Sequence, residues 1–228
     1  MNSYNINFLI NSNKLFKNIV YFDTISSTND LAKQLLSEGE IGNENTIILA
    51  DEQTKGRGKG ESFFYSPKGD GVYMSAILVN ANIDLRVISI AVSLAIFKVF
   101  DQLIKNGIKI KWPNDILINN KKACGILIES AMTWDCNAQP YVIIGIGINV
   151  NNDYFSDEIS HLATSLKKES KMFIDRNIIV SSILKELDIL LKKDLKTLIS
   201  EYKKNLEDKS FEKILLADRS LADLFNNI

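Results

Sequence analysis

Histidine is nearly missing from this chain. His161 stands alone among 228 residues, alongside two cysteines, Cys124 and Cys136, and three prolines. With a single histidine, no Ser/His/Asp relay stands out, and His161 is expected to be structural or on the surface. Neither cysteine belongs to a C-x-x-C pair, so a Cys/His metal centre is not indicated. Two cysteines are also too few for the disulfide framework of a small secreted domain; both are expected as free thiols in a cytoplasmic protein. An excess of charge of one sign is lacking too. Lys+Arg is 27 against Asp+Glu 28, a formal net charge of −1, which leaves no basic footprint for nucleic acid or a membrane surface. No apolar run approaches the roughly 20 residues of a membrane span, and Met1 to Phe8 has no basic flank followed by an apolar stretch, so no signal peptide is expected. Finally, glycine and proline vanish after Gly147: none occurs from Ile148 to Ile228. Small β-barrels need tight turns, which usually use glycine, so this last stretch is expected to be helical.

What is present suits a globular core, with 46% hydrophobic and 24% charged residues. Ser27-Thr28-Asn29-Asp30 precedes Leu31, Leu35 and Leu36 at helical spacing, which predicts a capped helix stopped near Gly39. Thr46 to Ala50 and Val72 to Val79 predict buried strands. Arg86 to Lys105 carries a broad apolar face and predicts a long helix closed by Gly107. Ile108 to Trp112 alternates, Ile116 to Ile118 follows a Pro-Asn-Asp turn, and Asn119-Asn120 is a hairpin signal. Ala123 to Ile128 and Tyr141 to Val150 predict further strands. Ile178 to Leu191, behind an Asp175 cap, and the charged, amphipathic Leu198 to Leu224 predict helices.

Four segments can carry chemistry. In Gly56-Arg57-Gly58-Lys59-Gly60 alternating glycines let backbone N–H groups approach an anion, and Arg57 and Lys59 add positive charge; the plainer alternative is a solvated hairpin tip. The spacing matches neither a Walker loop nor a dinucleotide fingerprint. In Lys111-Trp112-Pro113-Asn114-Asp115 the proline stiffens a polar turn beside a flat aromatic, and Asp115 can orient a lysine or meet Mg²⁺; a strand-ending turn is the alternative. Lys122 opens the apolar stretch Ala123-Cys124-Gly125-Ile126-Leu127 and can clamp a phosphate or carboxylate, or simply snorkel from a sheet edge. Gly145-Ile-Gly147-Ile-Asn149 leaves room over a strand for a ligand, or for a neighbouring helix.

The order of these segments is more specific than any one of them. Ser27-Thr28-Asn29, Gln53 with Gly56-Arg57-Gly58, Lys111-Trp-Pro-Asn-Asp115, Lys122 with Gly125-Ile-Leu, and Gly145-x-Gly-x-Asn149 together resemble the catalytic domain of biotin–protein ligases, across about residues 18 to 152. The resemblance implies an α+β fold, a mixed β-sheet with helices packed on one face, to which the missing glycine and proline add a helical C-terminal tail. It suggests a core of residues 1–175 and a helical segment of 176–228. It implies ATP-dependent attachment of biotin to a lysine of a biotin carboxyl carrier protein through biotinyl-5′-AMP, with Mg²⁺ as cofactor and its ligands unassigned. Ser27, Thr28, Asn29, Gln53, Gly56, Arg57, Gly58, Lys122 and Gly125 would bind biotin. Arg57, Lys59, Phe64, Lys111, Asn114 and Asn149 would serve the nucleotide, and Lys122, Arg57 and Asp115 would act in catalysis.

Three departures from the family pattern stand out. The glycine loop has Lys59 where arginine is usual, lacks a basic residue near Ser62, and carries Phe63-Phe64 near a customary tryptophan. Only about 20 residues precede the first motif, so the monofunctional form without a DNA-binding domain is expected. The glycine-free tail does not resemble the customary small C-terminal barrel. A sheet-edge homodimer is an expectation at family level. The nearest alternatives are a lipoate or octanoate ligase of the same fold, whose Arg-Arg-x-x-Gly-Gly-Gly-like segment is missing, and a biotinyl-AMP-binding pseudo-enzyme.

Overall fold

The computed structural model describes residues 4–60, 62–79, 84–132 and 140–207. The elements are α1 (Ile6–Ser12), β1 (Asn18–Ile25), α2 (Thr28–Ser37), β2 (Thr46–Gln53), β3 (Gly71–Val79), α3 (Leu85–Leu103), β4 (Ile108–Lys111), β5 (Asp115–Ile118), β6 (Lys121–Met132), β7 (Pro140–Asn149), α4 (Leu166–Ser170), α5 (Arg176–Leu190) and α6 (Leu195–Lys204). The seven strands form one sheet in the order β1-β2-β3-β7-β6-β5-β4. Only β1 and β2 are parallel; β2–β3, β3–β7, β7–β6, β6–β5 and β5–β4 are antiparallel. This is the mixed sheet with helices that the resemblance implied, with one difference: α2 packs on the face opposite α3, α5 and α6.

Strand alternation divides the side chains between two faces. Ile47, Leu49, Val72, Met74, Ala76, Val142, Ile144, Ile146 and Ile148 join the main core with α3, α5 and α6. Their neighbours Ile48, Ile77, Tyr141 and Ile143 meet Ala32 and Leu36 of α2 on the opposite face. The central strands are therefore apolar on both sides where helices cover both, which explains their continuous hydrophobic runs. Beyond α2 that second face is not filled with aliphatic side chains: Gly145 and Gly147 take the alternate positions of β7, and Gly147 pairs with Gly125 of β6.

Local chemistry accounts for the elements. Ser27 caps α2, accepting from the Asp30 amide, and Asp175 caps α5, accepting from the Asn177 amide. Asn119 and Asn120 both take positive φ, 50° and 64°, as a two-residue hairpin turn requires. Residues of α5 and α6, among them Ile183, Leu187, Leu198 and Tyr202, belong to the main core.

The structure differs from expectation in detail. α3 ends at Leu103, and Gly107 (φ 85°) serves the turn into β4 instead, its carbonyl accepting from Asn119. β6 continues past Ile128 to Met132. The Trp112–Pro113 peptide bond is cis. α1, α4 and β1 had no sequence signal; β1 is an edge strand whose residues alternate between exposed and half-buried without a clean period. Glu61, Cys136 and the part of the expected tail helix beyond residue 207 lie outside the described residues.

Candidate active site

The glycine positions make the floor of a narrow cleft. Gly125, Gly145 and Gly147 share the face of the sheet away from the main core. A Cβ on Gly147 would lie 2.6 Å from the Phe64 ring, and one on Gly145 2.3 Å from Asn29 Oδ1. Two walls therefore rest directly on backbone: the N-terminus of α2, and the loop that returns from β2 to β3. Of the residues singled out in the sequence, Ser27, Thr28, Asn29, Gln53, Arg57, Gly58, Phe64, Asn114, Lys122 and Gly125 line this cleft.

The polar groups are held before any ligand arrives. Gln53 Oε1 accepts from the Thr28 amide at 2.8 Å and from Thr28 Oγ1 at 3.1 Å, while its Nε2 donates to Ser66 Oγ at 3.0 Å. Gln53 thus ties the start of α2 to the far end of the glycine loop. Gly56 supports this junction rather than the cleft, since a Cβ there would meet Phe64 O at 2.4 Å and Ser66 Oγ at 2.6 Å. Lys122 Nζ lies 2.7 Å from Asp115 Oδ1 and 5.9 Å from the centre of the Phe64 ring. Arg57 Nη1 lies 2.7 Å from Asp30 Oδ1, and Nη2 lies 3.3 Å from Glu129 Oε1. Burial opposes the charge on Arg57, but the bond to Asp30 and the Glu129 charge outweigh it, so its pKa is raised further and it stays a cation.

The remaining expectations are placed differently. Asp115 is one step back from the cleft wall, as the partner of Lys122. Asn149 is buried, and its Nδ2 donates to Thr164 O at 3.0 Å and to Lys122 O at 3.4 Å, so it fixes the Lys122 backbone and does not line the cleft. Lys59 stands on the wall of a second cavity bounded by Leu85, Ile90, Trp112 and Tyr202; Lys111 lines neither cavity. The second cavity is larger, yet the first holds the convergent cations and amides, and chemistry rather than volume identifies the candidate site.

Sequence reasoning missed Glu129, Lys33 and Ser75. Glu129 receives Asn29 Nδ2 at 2.9 Å and Lys33 Nζ at 2.7 Å, and Ser75 Oγ donates to Asn29 Oδ1 at 2.5 Å. A signal for Glu129 was available: it continues the period-two row Gly125, Leu127 as a charge inside an otherwise apolar strand. Ending the expected strand at Ile128 hid it. Among the described residues no three His, Cys, Asp or Glu side chains form a metal-holding group, and no helix is long and apolar enough to cross a membrane. Cys124 is a free, buried thiol pushed up in pKa by burial, which makes it a poor nucleophile. His161 is exposed.

Comparison with known proteins bears on this cleft. A model of the "Biotin/lipoate A/B protein ligase family" matches residues 21–149, the span that holds most of the cleft. The chain is 38% identical over 184 residues to the "Bifunctional ligase/repressor BirA" of Bacillus spizizenii, and 38% identical over 185 residues to the protein of the same name in Bacillus subtilis. Each alignment covers 78% of this chain and 55% of the relative, so the chain spans about half the length of these curated relatives. Among solved structures, "Biotin protein ligase from Aquifex aeolicus in complex with biotin and ATP" superposes with a TM-score of 0.71 at 28% identity, covering 84% of this chain and 79% of that one.

Proposed function

Because the chain belongs to the biotin/lipoate A/B protein ligase family, we propose that it joins biotin to a lysine of a biotin carboxyl carrier protein, using ATP and passing through biotinyl-5′-AMP. The observation that carries this is the convergence of Arg57, Lys122 and the amide side chains of Asn29 and Gln53 around one glycine-floored cleft. The α2 N-terminus, with Ser27, Thr28 and Asn29, suits the polar ureido end of biotin. Arg57 and Lys122 suit its carboxylate and the α-phosphate.

A carboxylate is a poor electrophile. In the first step its oxygen attacks the α-phosphorus of ATP and diphosphate leaves. The two cations stabilise the charge that builds on the phosphoryl oxygens. Both are already neutralised by carboxylates of the protein, Arg57 by Asp30 and Glu129 and Lys122 by Asp115. A substrate anion takes the place of Asp115 at Lys122, while Arg57 keeps its anchors on Asp30 and Glu129 and offers its remaining N–H groups. In the second step the neutral amine of the acceptor lysine attacks the acyl carbon, AMP leaves, and the amine proton is lost. Free lysine has a pKa of about 10.4, so the amine must shed its proton, and Asp115, once released from Lys122, can orient the amine or take the proton. Holding acyl-adenylate and amine together supplies much of the rate. Mg²⁺ belongs to the same proposal: it would shield the triphosphate charge, and Asp115 is the motif carboxylate that would help to hold it.

Phe64 packs directly on Gly125 and Gly147 and would form an aromatic wall beside the acyl chain. Lys59, on the second cavity, is not needed for the first step. Residues 1–175 are proposed as the catalytic core, with α5 and α6 of the following segment covering the sheet. We place the reaction in the cytoplasm, with no nucleic acid required; a homodimer through a sheet edge is the expected assembly, checked by sedimentation. The test of the activity is ATP–diphosphate exchange with biotin, lipoate and octanoate in parallel. Biotin alone is expected to drive exchange; exchange driven by lipoate or octanoate and not by biotin would replace this assignment with a ligase of the other branch.

A further inference from the structure

Glu129 is a carboxylate behind the cleft wall that the motifs leave unexplained. It stands on β6 on the same face as Gly125 and Leu127, and its side chain is only 19% exposed. Its two oxygens gather three side chains from two other segments: Asn29 and Lys33 of α2, and Arg57 of the glycine loop. The Asn29 amide is gripped at both ends, with Nδ2 donating to Glu129 Oε2 and Oδ1 accepting from Ser75 Oγ. Glu129 decides which way that amide faces. A flipped amide would set its oxygen against a carboxylate oxygen, whereas the serine hydroxyl tolerates either group. Glu129 also gives Arg57 a second anchor beside Asp30, at the place where the loop crosses the helix.

We propose that Glu129 is a positioning residue of the ligase reaction, fixing the Asn29 amide and docking Arg57 against α2, so that both ends of the acyl substrate meet groups already aimed. The proposal rests on the functional assignment above. Glu129 does not line the cleft; it acts through residues that do. Bonds between charged partners are the shorter and stronger kind, and a site aimed in advance loses less on binding. Burial by itself would raise the Glu129 carboxyl, but the hydrogen bonds from Lys33 and Asn29 and the charges of Lys33 and Arg57 hold it below the ordinary value, so the anion is the form present at neutral pH.

The test is biotin-dependent ATP–diphosphate exchange by the whole chain and by Glu129→Gln, Glu129→Ala, Asn29→Ala and the double variant Asn29→Ala/Glu129→Ala, with melting temperature as the fold control. The unaltered chain should drive exchange. Glu129→Gln should raise KM for biotin about tenfold, the scale of one charge-assisted hydrogen bond, with kcat within about threefold and an unchanged fold. Glu129→Ala should raise KM further. In the Asn29→Ala background, removing Glu129 should cost less than half, in logarithmic terms, of what it costs alone, because its main client is gone. If Glu129→Ala does not fold, the isosteric Glu129→Gln carries the test. Exchange by the unaltered chain together with an unchanged KM in Glu129→Gln overturns the proposal and spares the function. Full additivity with Asn29→Ala makes Glu129 merely structural and also overturns it. No exchange by the unaltered chain overturns the function, and the proposal with it.

Discussion

On β7, Ile144, Ile146 and Ile148 point into the helical layer, while Gly145, Gly147 and Asn149 alternate with them on the opposite face. The same strand thus contributes core on one side and the floor of the candidate site on the other. The first face is built for stability: its aliphatic side chains interlock with α3, α5 and α6, and each buried side chain of this size is worth about 1.5–3 kcal/mol relative to exposure. The second face gives up that burial. Its glycines bring a ring, an amide and one cation down to the backbone, and its polar side chains are paired with one another, because an unpaired buried group is costly. The two faces therefore differ in which property a substitution should damage.

The sharpest separation is expected for Lys122→Ala. Its amine is half-exposed and bonds to a single carboxylate, so the melting temperature should change little while adenylate formation falls by about 10²–10³-fold. Comparable exchange activity in this variant would show the strand lysine to be structural. The opposite face should answer in the opposite way. Ile144→Ala removes a fully buried side chain and should cost about 2–5 kcal/mol in chemical denaturation, leaving KM for biotin unchanged in whatever fraction stays folded. A smaller effect is expected for Gly147→Ala, whose methyl meets the Phe64 ring at 2.6 Å. The ring must shift, and biotin binding measured by calorimetry should weaken about tenfold with little loss of stability. Equal affinity would mean that the glycine row is not the floor of the site.

The smallest effect concerns pH. The Glu129 carboxyl titrates below its ordinary 4.5. A depressed value in the folded state contributes stability that is present above 4.5 and lost as pH falls through the folded value. Between neutral pH and pH 3 the unaltered chain should therefore lose slightly more melting temperature than Glu129→Gln. Parallel curves would remove the network from the account.

Much of this contrast was legible in the residues. The α2 cap at Ser27, the hairpin at Asn119-Asn120 and the helix behind Asp175 are local signals, and each fixes its own few residues. The cleft residues were legible because their order along the chain is specific, although no single motif is. What escaped was whatever depends on distant partners. Asn149 reads as a ligand-facing amide until the strand end shows it bonded to Thr164 and Lys122 carbonyls. Lys59 reads as part of the anion loop, but the chain carries it onto the second cavity. β1 escaped because an edge strand lacks a clean alternation, and Glu129 because its role exists only once β6 and α2 are brought together.

Biotin and ATP are expected to meet on the glycine face. The decisive experiment is a crystal structure of the chain with biotin and a non-hydrolysable ATP analogue. The ureido ring is expected beside Ser27, Thr28 and Asn29, the acyl chain beside Phe64 along the glycine row, and the α-phosphate within reach of Arg57 and Lys122. Ligand density in the Trp112–Tyr202 cavity, with the glycine row bare, would contradict it.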